Sequence, residues 1–476
     1  MDDTSYSLIV VGTGFASTFF LHRFLERAPE SARVLVLERG EDTRGKVDPA
    51  AGQSLNRWLS TLPELFSATG TKTTWVSNVA FGGGSNCWMG QTPRFMPSDF
   101  RMRSEYGVGV DWPIGYDDLA DYYEEVEALM KISGPETTPF PRRGPYPLPP
   151  HTGSAMDALL ARKHPRLHVP APTARASVRT PTRPACCGAR SCRTCPVGAK
   201  FMIPADMPHV YGDARVTLKL RTEAVAVEIE GGRATGARFR VGERESVAKG
   251  EIVALGAHAI FNPYILMRSG VSHHLLGAGL SEQHSVTATV LLRGVDGFAG
   301  STLIPYLGYM LYDGPHRAQR AGCLIESLKT YRNFRRTPGR RTEKLDLVLI
   351  YEDLPDTRNY VGLGAAGKPS VHHGAVSDYA RLGVAHARAD LLRVLDGLPV
   401  ESVEVSPAPR RTDFHVLGTH RMGRTAGEGV VAPDLRIHGF PNLLALGSGS
   451  FPTGSPANPT LTLSALSLRA ADKVLS

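Results

Sequence analysis

The sequence predicts an α/β chain. A parallel sheet with helices is assembled from separated stretches and carries a second, α+β part with an antiparallel sheet. Three observations predict it. Leu8 to Gly40 reads as strand, glycine turn, helix, strand. Ile252 to Leu255 ends in Gly256 and enters a helix, and Asn442 to Leu446 is a strand that precedes a last helix from Thr460. Between about Ser285 and Pro407 alternating strands replace that pattern. The expected division is 1–284 with 408–476 for the first domain and 285–407 for the second.

The first stretch is the most informative. Leu8 to Val11 is a short, β-branched apolar run, as a buried parallel strand should be. Gly12 and Gly14 follow at once, and a helical pattern begins at Phe15. Two glycines let backbone turn tightly and approach a pyrophosphate, which the free N–H groups of the helix start then face. The third glycine of such a turn is replaced by Ser17, still small enough for close helix–strand packing. Val34 to Leu37 forms the next strand and ends in Glu38, where a carboxylate can accept both hydroxyls of an adenosine ribose. These residues predict dinucleotide binding, without separating FAD from NAD.

Further along, Phe81 to Phe100 contains three successive glycines, which suit backbone lying against a flat ligand. Asp111 to Met130 turns into a helix, with Asp117 and Asp118 in its first turn. Val216 to Ile229 and Ala234 to Val241 alternate like antiparallel strands, and one amphipathic helix is expected near Asp378 to Leu395. The chain has 476 residues, 42% of them hydrophobic, enough for more than one core. No apolar run reaches membrane-spanning length. The N-terminal MDDTSYS offers no basic and apolar leader, which predicts a cytoplasmic location. Net charge is +8, and its densest patch, Arg332 to Lys344, lacks the interleaved aromatics of a nucleic-acid face. Four of the six cysteines cluster: Cys186, Cys187, Cys192 and Cys195. That spacing points to metal or redox chemistry more than to a disulfide framework.

The GTGFAS turn, GGGSNCWMG, HVLGTHRMG and the closing NPTLT together resemble glucose–methanol–choline (GMC) oxidoreductases. The DFRMRSEYGVGVDWPIGYDDLADYY and CCGARSCRTCPVGA segments are similar to the flavin subunit of bacterial FAD-dependent glucose and sugar dehydrogenases, and TPRF echoes pyranose oxidases. The resemblance implies a Rossmann-type FAD-binding domain and an alcohol or sugar as electron donor. It places the base at His415 and an orienting amide at Asn458, with His420 the rival base and His284 structural. It implies FAD contacts from Gly12, Gly14, Ser17, Glu38, Gly83, Ser85, Asn86, Val225, Gly447, Ser448 and Asn458. Cys87 stands where pyranose oxidases carry the histidine that bonds to FAD, so that link cannot form here in its usual way. The dehydrogenases carry a three-iron iron–sulfur cluster (3Fe-4S) at the cysteine motif, as a relay to an external acceptor. Here the last gap, Arg193–Thr194, is one residue shorter, and a disulfide, a zinc site or idle thiols stay open. A dehydrogenase is expected, with an oxidase passing electrons to O₂ or a catalytically silent flavin-fold protein as the other readings. The expected partners are a small alcohol or sugar substrate and an electron-acceptor protein or small partner subunit, with periplasmic co-export beside such a subunit as the alternative location.

Overall fold

The computed structural model describes residues 5–44, 65–70, 75, 78–190, 192–330, 334–412 and 415–475. The parallel sheet predicted from separated stretches is present. Strand Ser5–Val11 lies centrally, paired in parallel with Val34–Leu37 on one side and Arg244–Leu255 on the other. Leu443–Ala445 also pairs in parallel with Arg244–Leu255, so the last strand joins the first sheet. Leu8, Ile9 and Val10 are fully buried, as a strand covered on both faces requires. Helix Phe15–Arg27 packs along the C-terminal helix Thr460–Leu475.

The expected single strand from Val216 to Ile229 is divided. Val216–Lys219 extends the parallel edge beside Val34–Leu37, whereas Glu223–Glu230 forms an antiparallel hairpin with Arg233–Val241. The break falls at Arg221, whose φ of 52° takes it out of the extended region. The helix expected after Asp111 begins only at Ala120, because Asp118 accepts from the Gly115 N–H and holds a turn instead. The amphipathic stretch near Asp378 is two helices, Asp378–Ala385 and Ala387–Leu395, meeting at His386.

The second sheet is antiparallel, in the order Val400–Val405, His284–Leu292, Lys344–Tyr351, Cys323–Leu328, Tyr306–Leu311, His168–Pro170. Its edge strand His168–Pro170 comes from the N-terminal part of the chain. Alternation along its strands sorts two faces. Val286, Ala288, Leu347, Leu349 and Ile325 join one apolar cluster with Leu391 and Val394 of the covering helices. The other face, with Ser285, Thr287, Glu326, Val348 and Ile350, looks into a large cavity. A third sheet of Tyr360–Leu363, Pro369–His373 and Ser67–Gly70 closes another side.

A buried charge network ties the antiparallel sheet to the C-terminal loop. Arg317 is fully buried and donates to Asp99 at 2.8 Å and to Glu352. Asp99 also accepts from Tyr312 Oη at 2.7 Å and Ser455 Oγ at 3.0 Å. Desolvation pushes the Asp99 carboxyl up to about 6, although Arg317 opposes it.

Candidate active site

One cavity of about 940 Å³ runs from the first glycine turn to the face of the antiparallel sheet. Gly12 has φ of 90°, and a Cβ there would lie 2.7 Å from Gly256 O. Gly14 caps helix Phe15–Arg27 without a side-chain bond, and a Cβ on it would meet nothing within 4 Å. The helix therefore presents its first N–H groups and its positive end to open cavity. Glu38 is buried beside that turn. Its Oε2 accepts from the Thr13 N–H at 3.1 Å and Thr13 Oγ1 at 2.6 Å, and its Oε1 from the Gly40 N–H at 2.7 Å. Burial pushes this carboxyl up, and those three bonds oppose the shift.

Ser17 does not line the cavity. It donates to Val11 O at 3.2 Å and packs against Gly256, where a Cβ would fall 2.0 Å from Ser17 Oγ. The close approach that a third glycine in the turn would allow is thus supplied from the neighbouring strand. Gly256→Ala is expected to cost about 1–3 kcal/mol through overpacking, and the double variant Ser17→Gly, Gly256→Ala to regain part of it. Denaturant unfolding of both checks this.

The glycine segment reaches the cavity through Gly83, Gly84 and Cys87, whereas Ser85 and Asn86 stand behind it. Ser85 Oγ donates to Gly82 O at 2.7 Å and accepts from the Ile203 N–H at 3.1 Å. Asn86 Nδ2 donates to Asn78 Oδ1 and Phe81 O, both at 2.9 Å. These two brace the loop. The Cys87 thiol is buried and its pKa raised by desolvation, as for an inert core thiol. Val225 is not part of the wall; Thr222, Glu223 and Ala224, just before it, are. Gly447 and Ser448 line the cavity, and Ser448 Oγ donates to Val416 O at 2.7 Å, tethering the segment that carries His415.

His415 and Asn458 both face the cavity. His415 Nδ1 lies 2.6 Å from Gln283 Oε1. Gln283 Nε2 donates to the carbonyls of Ser455 and, at 2.9 Å, Ala457. With its amide nitrogen committed to two acceptors, Gln283 offers only an acceptor to the imidazole. His415 must then carry its proton on Nδ1, leaving the Nε2 lone pair free. Burial lowers the pKa of His415 to about 4, so the ring is neutral at physiological pH. His420, by contrast, is fully buried away from the cavity, its ring filling the space where a Cβ on Gly449 would lie. It is a packing residue. His284 Nε2 binds Asp353 at 2.9 Å, a structural pair.

Asn458 Oδ1 is buried with no hydrogen-bond partner among the described residues. Glu326 is another wall residue, and burial pushes its carboxyl up to about 7 against the influence of Arg175. Gln283 and Glu326 escaped the sequence reading. Glu326 left a signal: an acid at an inward position of the apolar strand CLIESL. Gln283 left none.

All six cysteines are free thiols. Cys186, Cys192 and Cys195 are half-buried, while Cys187 is exposed. Cys192 lies within electrostatic reach of Cys186, Cys195 and Arg175, and burial raises its pKa. The Ala199 N–H donates to Cys195 Sγ at 3.2 Å. Arg175 is 1% exposed, and none of its guanidinium nitrogens has a hydrogen-bond partner among the described residues. Lys200, fully buried, donates to Trp88 O at 2.9 Å and Arg193 O at 2.8 Å, joining the cysteine loop to the glycine segment. Among the described residues the one trio of His, Cys or carboxylate ligand atoms within 4.8 Å is His22, Glu26 and Glu125. Arg23 bridges both of its acids, so it is an ion-pair cluster.

Residues 366–467 match a family model described as GMC oxidoreductase. The fructose dehydrogenase large subunit of Gluconobacter japonicus is 26% identical, over 99% of this chain and 98% of that one. The 2-methyl-1,2-propanediol dehydrogenase of Mycolicibacterium austroafricanum is 27% identical, over 87% and 83%. Among solved structures, pyridoxine 4-oxidase from Mesorbium loti superposes with a TM-score of 0.69 at 17% identity, over 98% and 99%. With the glycine turn, the His415 segment and the two-sheet architecture in place, the chain is similar to GMC oxidoreductases, over residues 366–467 by the family model and over nearly its whole length by the fructose dehydrogenase relative and by fold.

Proposed function

We propose that the protein oxidises the CH–OH group of an alcohol or sugar to a carbonyl, with FAD as hydride acceptor and His415 as base. The observation that carries this is the lone pair of His415 Nε2, fixed by Gln283 and facing the cavity beside Asn458. The residues present fit FAD. The uncapped start of helix Phe15–Arg27 suits the diphosphate, Glu38 the ribose, and Gly83 and Gly84 a flat ring. FAD supplies the hydride acceptor; the protein must supply the rest. His415 Nε2 takes the hydroxyl proton. Asn458 orients the substrate oxygen without competing for that proton. Relatives named as sugar and diol dehydrogenases support this substrate class. Anaerobic bleaching of the flavin absorbance by a panel of sugars, polyols and alcohols tests it; no bleaching by any of them would favour a catalytically silent protein.

The cysteine loop supports dehydrogenase over oxidase. A tetrahedral zinc would hold its thiolates about 3.8 Å apart, given Zn–S near 2.3 Å. No three cysteine sulfurs among the described residues approach within 4.8 Å. An iron–sulfur cluster binds each thiolate to a different iron and so needs wider spacing. Cys186, Cys192 and Cys195, which act on one another electrostatically, would supply its ligands, and the Arg175 guanidinium that acts on Cys192 would suit its negative charge. Such a cluster supplies one-electron transfer toward an acceptor protein or partner subunit. Iron and sulfide in anaerobically purified protein, an EPR signal, and little peroxide per turnover are the expected results. Absence of iron with stoichiometric peroxide would give the oxidase.

A further inference from the structure

Two features of the sequence, the cysteine loop and the densest basic patch, meet on one surface. Cys186 Sγ lies 3.7 Å from Thr302 Oγ1, and Arg190 of the same loop donates to Phe298 O at 3.1 Å. The Arg190 guanidinium also sits over the Phe298 ring, 3.7 Å from its centre. That ring packs at 4.6 Å against Phe334, which belongs to the basic patch and is 41% exposed. The cysteine loop spans the wall between the cavity and this surface: Arg193 borders the cavity, whereas Cys187 is exposed. The loop is therefore a route by which electrons can leave a ring held in the cavity.

The charge on this surface is one-sided. From Ala158 to Ala205 the chain carries nine Lys or Arg and no Asp or Glu. In the basic patch Arg335 and Arg340 pair with Glu401, and Lys344 with Asp346. Arg336 and Arg341 are exposed and enter no ion pair among the described residues. The Cys186 N–H donates to Ala176 O at 2.8 Å, which sets the exposed Val178 and Arg179 beside the loop. Exposed single charges add little to stability, but a cluster of one sign steers an oppositely charged partner. An exposed aromatic ring amid such cations is the composition of a protein contact, with an apolar centre and a charged rim. A lipid surface would use the cations and the ring, but it has no use for a route from the cavity.

We propose that this surface docks an electron-accepting protein by its acidic face, with Phe334 at the contact and Arg179, Arg336 and Arg341 around it. This rests on the dehydrogenase reading above. Each CH–OH group oxidised releases two electrons and two protons; two acceptor molecules take one electron each, and the protons pass to solvent. The probes are two one-electron acceptors of opposite charge, the acidic plastocyanin and the basic mitochondrial cytochrome c. The holoprotein is titrated with dithionite just to full reduction, so no substrate is needed, and mixed with each. Plastocyanin is expected to react at least about tenfold faster than cytochrome c at about 0.01 M salt, and to lose most of that advantage by about 0.3 M. The double variant Arg336→Glu, Arg341→Glu should lower the plastocyanin rate at least about tenfold. The milder pair Arg336→Gln, Arg341→Gln, chosen to preserve folding, should lower it at least about threefold. FAD content, unfolding midpoint and alcohol-driven flavin bleaching should be unchanged in both. Zinc-substituted plastocyanin, which cannot take an electron, should bind in calorimetry with the same dependence on salt and on these arginines. A preference for cytochrome c, a rate indifferent to salt, undiminished rates in both double variants, or binding to phosphatidylglycerol vesicles with none to plastocyanin overturns the proposal. Zinc-plastocyanin binding while the reduced flavin gives its electrons only to O₂ instead overturns the dehydrogenase reading, and this proposal with it.

Discussion

His415→Ala leaves FAD bound and lowers alcohol-driven flavin reduction at least about a hundredfold. General-base catalysis contributes 10²–10⁴-fold, so at least about 2.7 kcal/mol of barrier rests on this side chain. Gly12, Gly14 and Glu38, which would hold the dinucleotide, belong to a different wall segment from His415, which is why cofactor retention should survive. The sign of the pH dependence follows from the environment. Burial lowers the imidazole pKa from 6.5 to about 4, and the base works only when unprotonated. Flavin reduction is therefore expected to be level through neutral pH and to fall as pH drops through about 4. Rapid-mixing absorbance over a pH series measures both. A variant that reduces its flavin at nearly the wild-type rate, or an acid limb near 6.5, would sink the assignment or its environment.

Gln283→Leu is the second large effect. Gln283 joins the His415 segment to the loop carrying Asn458 and dictates which ring nitrogen bears the proton. Leucine fills similar space, yet it frees the imidazole to adopt either tautomer and abandons two carbonyls. The expected loss is about ten- to a hundredfold in kcat with KM less affected, since ground-state binding surfaces persist while the reactive arrangement does not. Stopped-flow reduction at saturating substrate separates the two constants. A change confined to KM would make Gln283 a binding residue instead.

The sequence made the nucleotide half of the site legible because local rules govern it. Gly12, Gly14 and Glu38 occupy fixed offsets around one strand–turn–helix unit, and the structure brings all three to one cavity wall. His415 and Asn458 were found by resemblance, and they do share that cavity. What stayed hidden depends on register between distant strands. Glu326 becomes a wall residue only because Cys323–Leu328 pairs with Lys344–Tyr351 in one alignment; a shift of one residue would turn it to the helices. Gln283 acquires meaning only when Ser455 and Ala457 arrive beside it from far along the chain. Ser17 packs closely as its size suggested but does not face the cavity as the expected FAD contact, and its partner Gly256 follows a strand that sequence spacing cannot bring near. Ser85 and Asn86 were expected against the ring because of their neighbours, whereas their side chains satisfy loop backbone and amide groups instead.

The central sheet receives Leu443–Ala445 from nearly the last part of the chain, and helix Thr460–Leu475 lies along the very first helix. A ribosome emits residues in order, so the opening turn must wait, its apolar helix uncovered, until the stretch from Leu443 to Leu475 has emerged. Cofactor capture then comes only after that stretch, and nascent chains arrested before residue 440 should expose a sticky surface for chaperones to shield.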